Sequence, residues 1–268
     1  MHIAIIGYGK MGRLIEAQAL SRNHRITGVV DPFIKETQTQ GGAPVFKTLG
    51  DGGNLGGVDV AIEFTRPDTV VENIKALVER KIPLVVGTTG WTDRLDELTQ
   101  LVERAEASLL WASNFSLGVN LFYRIAAFAA HLVDPFPEYD VGGWEAHHHK
   151  KVDSPSGTAK TLIEWILSSM ERKKTPVWET LQRAPAPEEI HYSSLRVGSM
   201  PGIHTVLFDS PADTLEITHT ARNREGFASG ALVAAEWLVN CPGPGGPAGT
   251  VHQGVFTMDY VLKDLLGV

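Results

Sequence analysis

The amino terminus constrains the fold more tightly than any other stretch. His2-Ile3-Ala4-Ile5-Ile6 is a short apolar run that reads as a buried parallel strand. Gly7-Tyr8-Gly9-Lys10-Met11-Gly12 follows at once, and a helical pattern begins near Arg13. In a GxGxxG turn between strand and helix, Gly7 permits the tight turn, Gly9 lets backbone approach a pyrophosphate, and Gly12 lets helix and strand pack closely. The next strand, residues 25–30, ends in Asp31, about 20 residues beyond the glycines, where a carboxylate accepts hydrogen bonds from ribose hydroxyls. This context predicts dinucleotide binding; the competing reading is a glycine turn in an unrelated α/β fold. Asp31 should repel a 2′-phosphate, whereas Lys10, Arg13 and Lys35 could neutralise one. Either NADH or NADPH is therefore expected, with a lean to NADH.

The pattern beyond Asp31 extends the same architecture. Residues 36–57 are rich in Gly, Thr and Gln and read as loop plus a minor element at Pro44-Val45-Phe46. Strands are expected at 58–64, 83–86 and 109–112, with helices at about 69–80 and 95–107 between them. Alternation of this kind predicts an α/β, Rossmann-type, doubly wound parallel sheet. Ligands of such sheets lie off the carboxyl ends of the strands, which puts the loops at 7–12, 63–66, 87–90 and 112–115 along one cofactor crevice.

An apolar helix at 117–133 then leads to a different pattern. A strand at 140–145, a helix at 158–172 and strand-like runs at 190–197, 204–208 and 214–220 predict a second α+β domain on a mixed or antiparallel sheet. Arg222-Asn223-Arg224 interrupts the pattern, and residues 228–239 return to helix. Cys241 to Gly249 is dense in Pro and Gly and reads as loop, and residues 255–266 have strand-then-helix character. The expected organisation is a dinucleotide-binding domain at 1–115, a substrate-binding and oligomerisation domain at 116–224, and a return to the first domain at 225–268.

The chemistry concentrates at residues 144–159, where His147, His148, His149, Lys150 and Lys151 precede Pro155-Ser156-Gly157-Thr158 and a helical run. Ser156 is a candidate N-cap. The first N–H groups of a helix lack internal partners and favour an anion. Beside them, the lysines supply charge, and His147 and His148 can move protons near neutral pH. This segment would hold a small acid and move protons on it; the bland alternative is a solvated basic loop. A metal site is not expected, because adjacent histidines converge poorly on one ion and Cys, Asp or Glu at ligand spacing is missing.

Composition sets outer limits. A net charge of −7 argues against sequence-independent nucleic-acid binding, which needs a basic face. Cys241 is the single cysteine, so an internal disulfide is excluded and a reducing compartment is expected. With no apolar run long enough to span a membrane and no signal peptide, a cytoplasmic protein without membrane partners is expected.

Glu145-Ala146-His147-His148 with Lys151, Asp153, Pro155, Ser156, Gly157, Thr158 and Ala159 resembles the signature of the 4-hydroxy-tetrahydrodipicolinate (dihydrodipicolinate) reductase family. The likeness also covers Gly7–Gly12, Glu63-Phe64-Thr65-Arg66-Pro67, Gly87-Thr88-Thr89-Gly90, residues 114–120, Arg196-Val197-Gly198, Gly202-Ile203-His204 and residues 215–219. The resemblance implies an NAD(P)H-dependent oxidoreductase that reduces a cyclic imine dicarboxylate, with loss of water, in the diaminopimelate route to lysine. It implies His147 as proton donor and acceptor, Lys151 as proton donor, and His148, Gly157 and Thr158 as substrate contacts. It implies cofactor contacts at Gly7, Tyr8, Gly9, Lys10, Met11, Gly12, Asp31, Gly87, Thr88, Thr89, Ala112, Ser113, Asn114 and Phe115. Arg224 resembles a position near the domain hinge, whereas His149 and Lys150 match no position with a nameable role. The resemblance further implies a homotetramer joined through the second sheet, and domain closure that brings nicotinamide to the ring. Two departures stand out: the glycine loop is one residue shorter than in some members, and Asp31 stands where others carry Glu. The rival readings are another Rossmann oxidoreductase of dicarboxylates or imino acids, and an NAD(H)-binding protein without turnover.

Overall fold

A computed structural model describes residues 1–50, 55, 57–240 and 251–267. The loop expected at Cys241 to Gly249 and part of the loop at 36–57 lie outside the described residues. The chain divides into two compact units, Met1–Ser116 with Phe227–Val268, and Leu117–Gly226.

The first unit opens with β1 (His2–Ile6), α1 (Lys10–Ser21), β2 (Arg25–Val30), β3 (Val45–Phe46), β4 (Val60–Glu63), α2 (Val70–Glu79), β5 (Leu84–Val86), α3 (Leu95–Ala105) and β6 (Ser108–Trp111). The second contains α4 (Leu117–Val133), β7 (Asp140–His147), α5 (Gly157–Ser168), β8 (Thr175–Val177), β9 (Glu189–Arg196), β10 (Ile203–Asp209) and β11 (Thr214–Thr220). α6 (Glu225–Asn240), β12 (Gly254–Thr257) and α7 (Met258–Leu266) end the chain.

In the first unit seven strands run in the order β12-β6-β5-β4-β1-β2-β3, every pair parallel. The central strands β4 and β5 are buried along their whole length, as continuous apolar runs with helices on both faces should be. One face packs Ala4, Ile6, Ala61, Leu84 and Val86 against Ile74, Leu77 and Val78 of α2 and Leu98 and Val102 of α3. Both helices show apolar positions at three- and four-residue spacing, which is why they lie flat on the sheet. β12 pairs with β6 in register Val255 to Leu109, so the carboxyl-terminal segment completes the sheet that the amino terminus began.

The second unit carries a five-stranded sheet, β11-β10-β7-β9-β8. It is mixed: β10 is antiparallel to β7 and β11, while β9 is parallel to β7 and β8. α4 and α5 cover one face, packing Phe122, Ala126, Leu162 and Ile166 on Val141, Ile190, Tyr192, Val206 and Phe208. Side chains alternate faces along a strand, so Glu145, His147, Ser194, Arg196 and His204 share the helix-covered face with these core residues. Trp144 and Leu195 point to the other face and are exposed.

Ile62 sits fully buried between Ile5 and Val85 in the middle of the first sheet. Ile62→Ala should cost about 3 kcal/mol from lost burial and the cavity left behind. Chemical denaturation of the two proteins checks this; an unchanged midpoint would mean that β4 is not central to the core.

Candidate active site

The carboxyl ends of β1, β4, β5 and β6 are neighbours in the first sheet, and the loops that leave them are tied together. Gly7 takes φ +92°, and a Cβ there would lie 2.2 Å from the Phe64 carbonyl oxygen, so only glycine allows the turn. A Cβ on Gly12 would meet the Gly7 carbonyl oxygen at 2.3 Å, whereas Gly9 has open space around the same position. α1 begins at Lys10 rather than near Arg13, with Gly9 as its N-cap and no side-chain cap. The second half of the glycine turn is therefore already the first helical turn. Its unpaired N–H groups and the space beside Gly9 fit a pyrophosphate.

Asp31 holds this turn against the next strand. Its Oδ2 accepts the Tyr8 N–H at 2.7 Å and its Oδ1 the Phe33 N–H at 2.8 Å. Tyr8 donates to buried Glu16, and burial with that carboxylate pushes its phenol up to about 12. The Arg13 guanidinium lies 4.6 Å from the Tyr8 ring centroid. Thr88 joins two further loops, its Oγ accepting the Thr65 N–H at 2.7 Å. Phe115 packs on Phe64, centroids 6.0 Å apart, and Asn114 Oδ1 accepts the Ser116 N–H at 2.9 Å. Beneath them, burial pushes the Glu63 carboxyl up while Thr65, Thr88 and Asn73 oppose it. Lys10, Ser113 and Thr89 are exposed.

In the second unit the sequence reading placed the histidines in a loop after the strand. The structure puts His147 on β7 itself, as its last residue, and only His148 onward in the loop. Strand geometry then sets Glu145 and His147 on one face, and register brings Ser194 and His204 level with Glu145 and Arg196 level with His147. Glu145 is fully buried. Its Oε1 accepts from the Ser156 N–H at 3.0 Å, Ser194 Oγ at 2.8 Å and Arg196 Nη2 at 2.9 Å, and its Oε2 lies 3.0 Å from His147 Nδ1. Burial by itself would raise this carboxyl, but the contacts with His147, Ser156, Arg196 and Ser194 outweigh it and hold it well below the usual carboxylate range.

The adjacent loop and helix carry the remaining residues. Lys151 Nζ sits 2.8 Å from Asp153 Oδ1, and this contact lowers the Asp153 carboxyl. His148 Nδ1 is buried and has no hydrogen-bond partner among the described residues. His149 turns away, its Nδ1 2.8 Å from the Gly198 carbonyl oxygen. Ser156 caps α5, its Oγ accepting the Ala159 N–H at 3.1 Å, so Gly157 and Thr158 open the helix. Gly157 has open space where a side chain would stand. An anion at this turn meets helix N–H groups with imidazole and ammonium groups nearby in sequence.

Glu145, Arg196, His204 and Asp153 are the polar partners that residue-type reasoning did not single out. Glu145 and Asp153 left a local signal, each standing two residues from its partner, His147 and Lys151. The acid judged missing from the histidine run is supplied by the fold, which gathers ligand-type atoms of Glu145, His147 and His204 within 4.8 Å of one another. Arg196 already matches the Glu145 charge at that cluster, which fits an ion-pair network better than a cation site.

A doubly wound sheet with a glycine turn, and a separate unit presenting imidazole and ammonium at a helix start, define a pyridine-nucleotide oxidoreductase. The model for "Dihydrodipicolinate reductase, N-terminus" matches residues 1–115 and that for "Dihydrodipicolinate reductase, C-terminus" matches residues 118–262. The chain belongs to the dihydrodipicolinate reductase family. It is 38% identical to a 4-hydroxy-tetrahydrodipicolinate reductase of Christiangramia forsetii over 99% of both chains. It is 36% identical to one of Staphylococcus aureus over 90% of this chain and 96% of the relative. A dipicolinate-bound dihydrodipicolinate reductase from Paenisporosarcina sp. TG-14 superposes with TM-score 0.75 at 25% identity, covering 96% of this chain and 97% of that one. No helix among the described residues is long and apolar enough to cross a membrane.

Two outcomes follow from these geometries. Gly12→Ala drives a methyl group into the Gly7 carbonyl and should weaken binding of reduced pyridine nucleotide at least about tenfold, read by fluorescence titration; unchanged affinity would detach the turn from nucleotide binding. Acid should destabilise the fold through its buried imidazoles. Burial pulls His204 down to about 3 and lowers His219 and His252 too. The unfolded chain takes up these protons near pH 6.5 and the native chain does not, so stability present above about pH 6.5 is lost as pH falls. The melting temperature of His204→Gln should fall less steeply between about pH 6.5 and 4 than that of the parent; equal slopes would contradict the assignment.

Proposed function

We propose that this protein reduces 4-hydroxy-tetrahydrodipicolinate to tetrahydrodipicolinate, with loss of water, using NADH or NADPH. The observation that carries the reading is the Glu145–His147 pair placed before the capped start of α5, within a full-length match to reductases of that name. The solved relative that binds dipicolinate supports the same chemistry, a flat ring with two carboxylates.

The reaction asks three things of the chain. Gly157 and Thr158, at the first turn of α5, bind one substrate carboxylate through backbone N–H groups, helped by His148 and Lys151. Loss of the 4-hydroxyl as water leaves a conjugated ring that accepts a hydride at carbon 4. When bound, the reduced nicotinamide supplies that hydride. Negative charge then grows toward the ring and its carboxylate, where the cations at 147–151 stabilise it more than in the ground state. His147 or Lys151 delivers a proton to the resulting enamine. Lys151 reaches this role by leaving Asp153, an exposed pair that gives little resistance.

Gly7, Tyr8, Gly9, Lys10, Met11 and Gly12 hold the cofactor with Asp31, residues 87–89 and residues 112–115. The orientation of Asp31, fixed by two backbone N–H groups, supports the lean to NADH, since a rigid carboxylate repels a 2′-phosphate. Exposed Trp144 and Leu195, on the sheet face away from the helices, support a homotetramer joined through that sheet. The setting is cytoplasmic biosynthesis of lysine through diaminopimelate.

His147→Ala and Lys151→Ala should each lower turnover by about 10²-fold or more, the effect of losing a proton donor. The readout is the loss of reduced-nicotinamide absorbance while ring substrate is generated in a coupled assay. Turnover near that of the parent in both variants would overturn the assignment.

A further inference from the structure

We infer that Glu145 is the positioning residue of this site: its buried carboxylate fixes His147 with the proton on Nδ1 and leaves Nε2 as the working nitrogen. The inference deepens the reading of His147 as proton donor and acceptor and rests on it: Nε2 takes up a proton and passes it on, while the Nδ1 proton stays with Glu145. Three sets of contacts point to this role.

The first is the division of labour between the two carboxylate oxygens. Oε1 takes all three donors, Ser156 N–H, Ser194 Oγ and Arg196 Nη2. Oε2 faces His147 Nδ1 at 3.0 Å as an ion-pair contact, and neither atom makes a hydrogen bond among the described residues. An ionised carboxylate only accepts, so a proton on Nδ1, aimed by a small turn of the ring, satisfies both atoms, whereas a bare Nδ1 would set two lone pairs against each other.

The second concerns competitors. His204 Nδ1 stands farther off, 4.0 Å from Oε2, and stays neutral because burial pulls it down. Arg196 binds the other oxygen and reaches the Asp153 carbonyl oxygen at 2.6 Å. The guanidinium thereby links the carboxylate behind His147 to the loop that carries Lys151.

The third is the far side of the imidazole. A Cβ on Gly202 would stand 3.0 Å from His147 Nε2, and Gly202 takes φ +149°. Glycine at this position keeps Nε2 clear of a side chain, as a nitrogen that must exchange protons requires.

The test combines a spectrum with kinetics. Long-range 15N–1H spectra of histidine-labelled protein at about pH 8 should show His147 with Nδ1 protonated and Nε2 bare, the signal being assigned by its loss in His147→Gln. Glu145→Gln keeps size and shape, but its amide can turn an N–H toward Nδ1 and drive the proton to Nε2. This variant should show the opposite tautomer and a kcat lowered about 10- to 100-fold, with KM for reduced nucleotide unchanged. A neutral His147 carrying its single proton on Nε2 in the parent protein would overturn the inference without any variant. So would a Glu145→Gln kcat within about twofold of the parent. If the parent fails to reduce the ring substrate, the proposed function falls, while the spectrum still decides the tautomer.

Discussion

A carboxylate with no exposure to water is expensive unless its charge is matched, and Glu145 is such a group. Its partners come from β9, from the start of α5 and from β7 itself. Three pieces of backbone are thereby pinned to one point. Removing Arg196 would leave that charge uncompensated in a low-dielectric interior, typically a loss of about 3–5 kcal/mol. Such a device is a poor way to gain stability, since an apolar replacement often does as well. Its value lies in specifying where the imidazole and the helix start stand.

The nucleotide-binding unit reaches order by a different route. Its turn is shaped by steric exclusion, with the Phe64 and Gly7 carbonyl oxygens standing where side chains would be at Gly7 and Gly12. The neighbouring loops are joined by neutral hydrogen bonds such as Thr65 to Thr88 and by the Phe64–Phe115 contact. Gly87 belongs to the same logic, because a Cβ there would lie 2.1 Å from the Phe64 ring. Backbone that must approach a pyrophosphate has to be bare, and the side chains that support it sit behind it.

Much of this was legible in the sequence because it is local. The β1 and β2 strands, the α4 helix and β11 follow from apolar runs and from periodicity within a few residues. The parallel first sheet follows from alternation of strand and helix. β8 was not legible: Thr175-Pro176-Val177 is three residues long and contains a proline, which sequence patterns read as loop. The site was legible in its chemistry and not in its support. His147, Lys151 and the Ser156 cap announce themselves by type and spacing, but the partners of Glu145 depend on strand register. Arg196 and His204 are about 50 residues or more away in sequence, and nothing local says that β7 lies between β9 and β10.

The central claim is that a hydride passes to carbon 4 of a cyclic imine dicarboxylate held by the second unit. Isotope transfer tests it most directly. NADH or NADPH carrying deuterium at the transferable position of the nicotinamide would be incubated with the protein while ring substrate is generated, and the product analysed by mass spectrometry and NMR. The account predicts one deuterium per product ring, bonded to carbon 4. A reduced product without deuterium, or with it at another carbon, would contradict it.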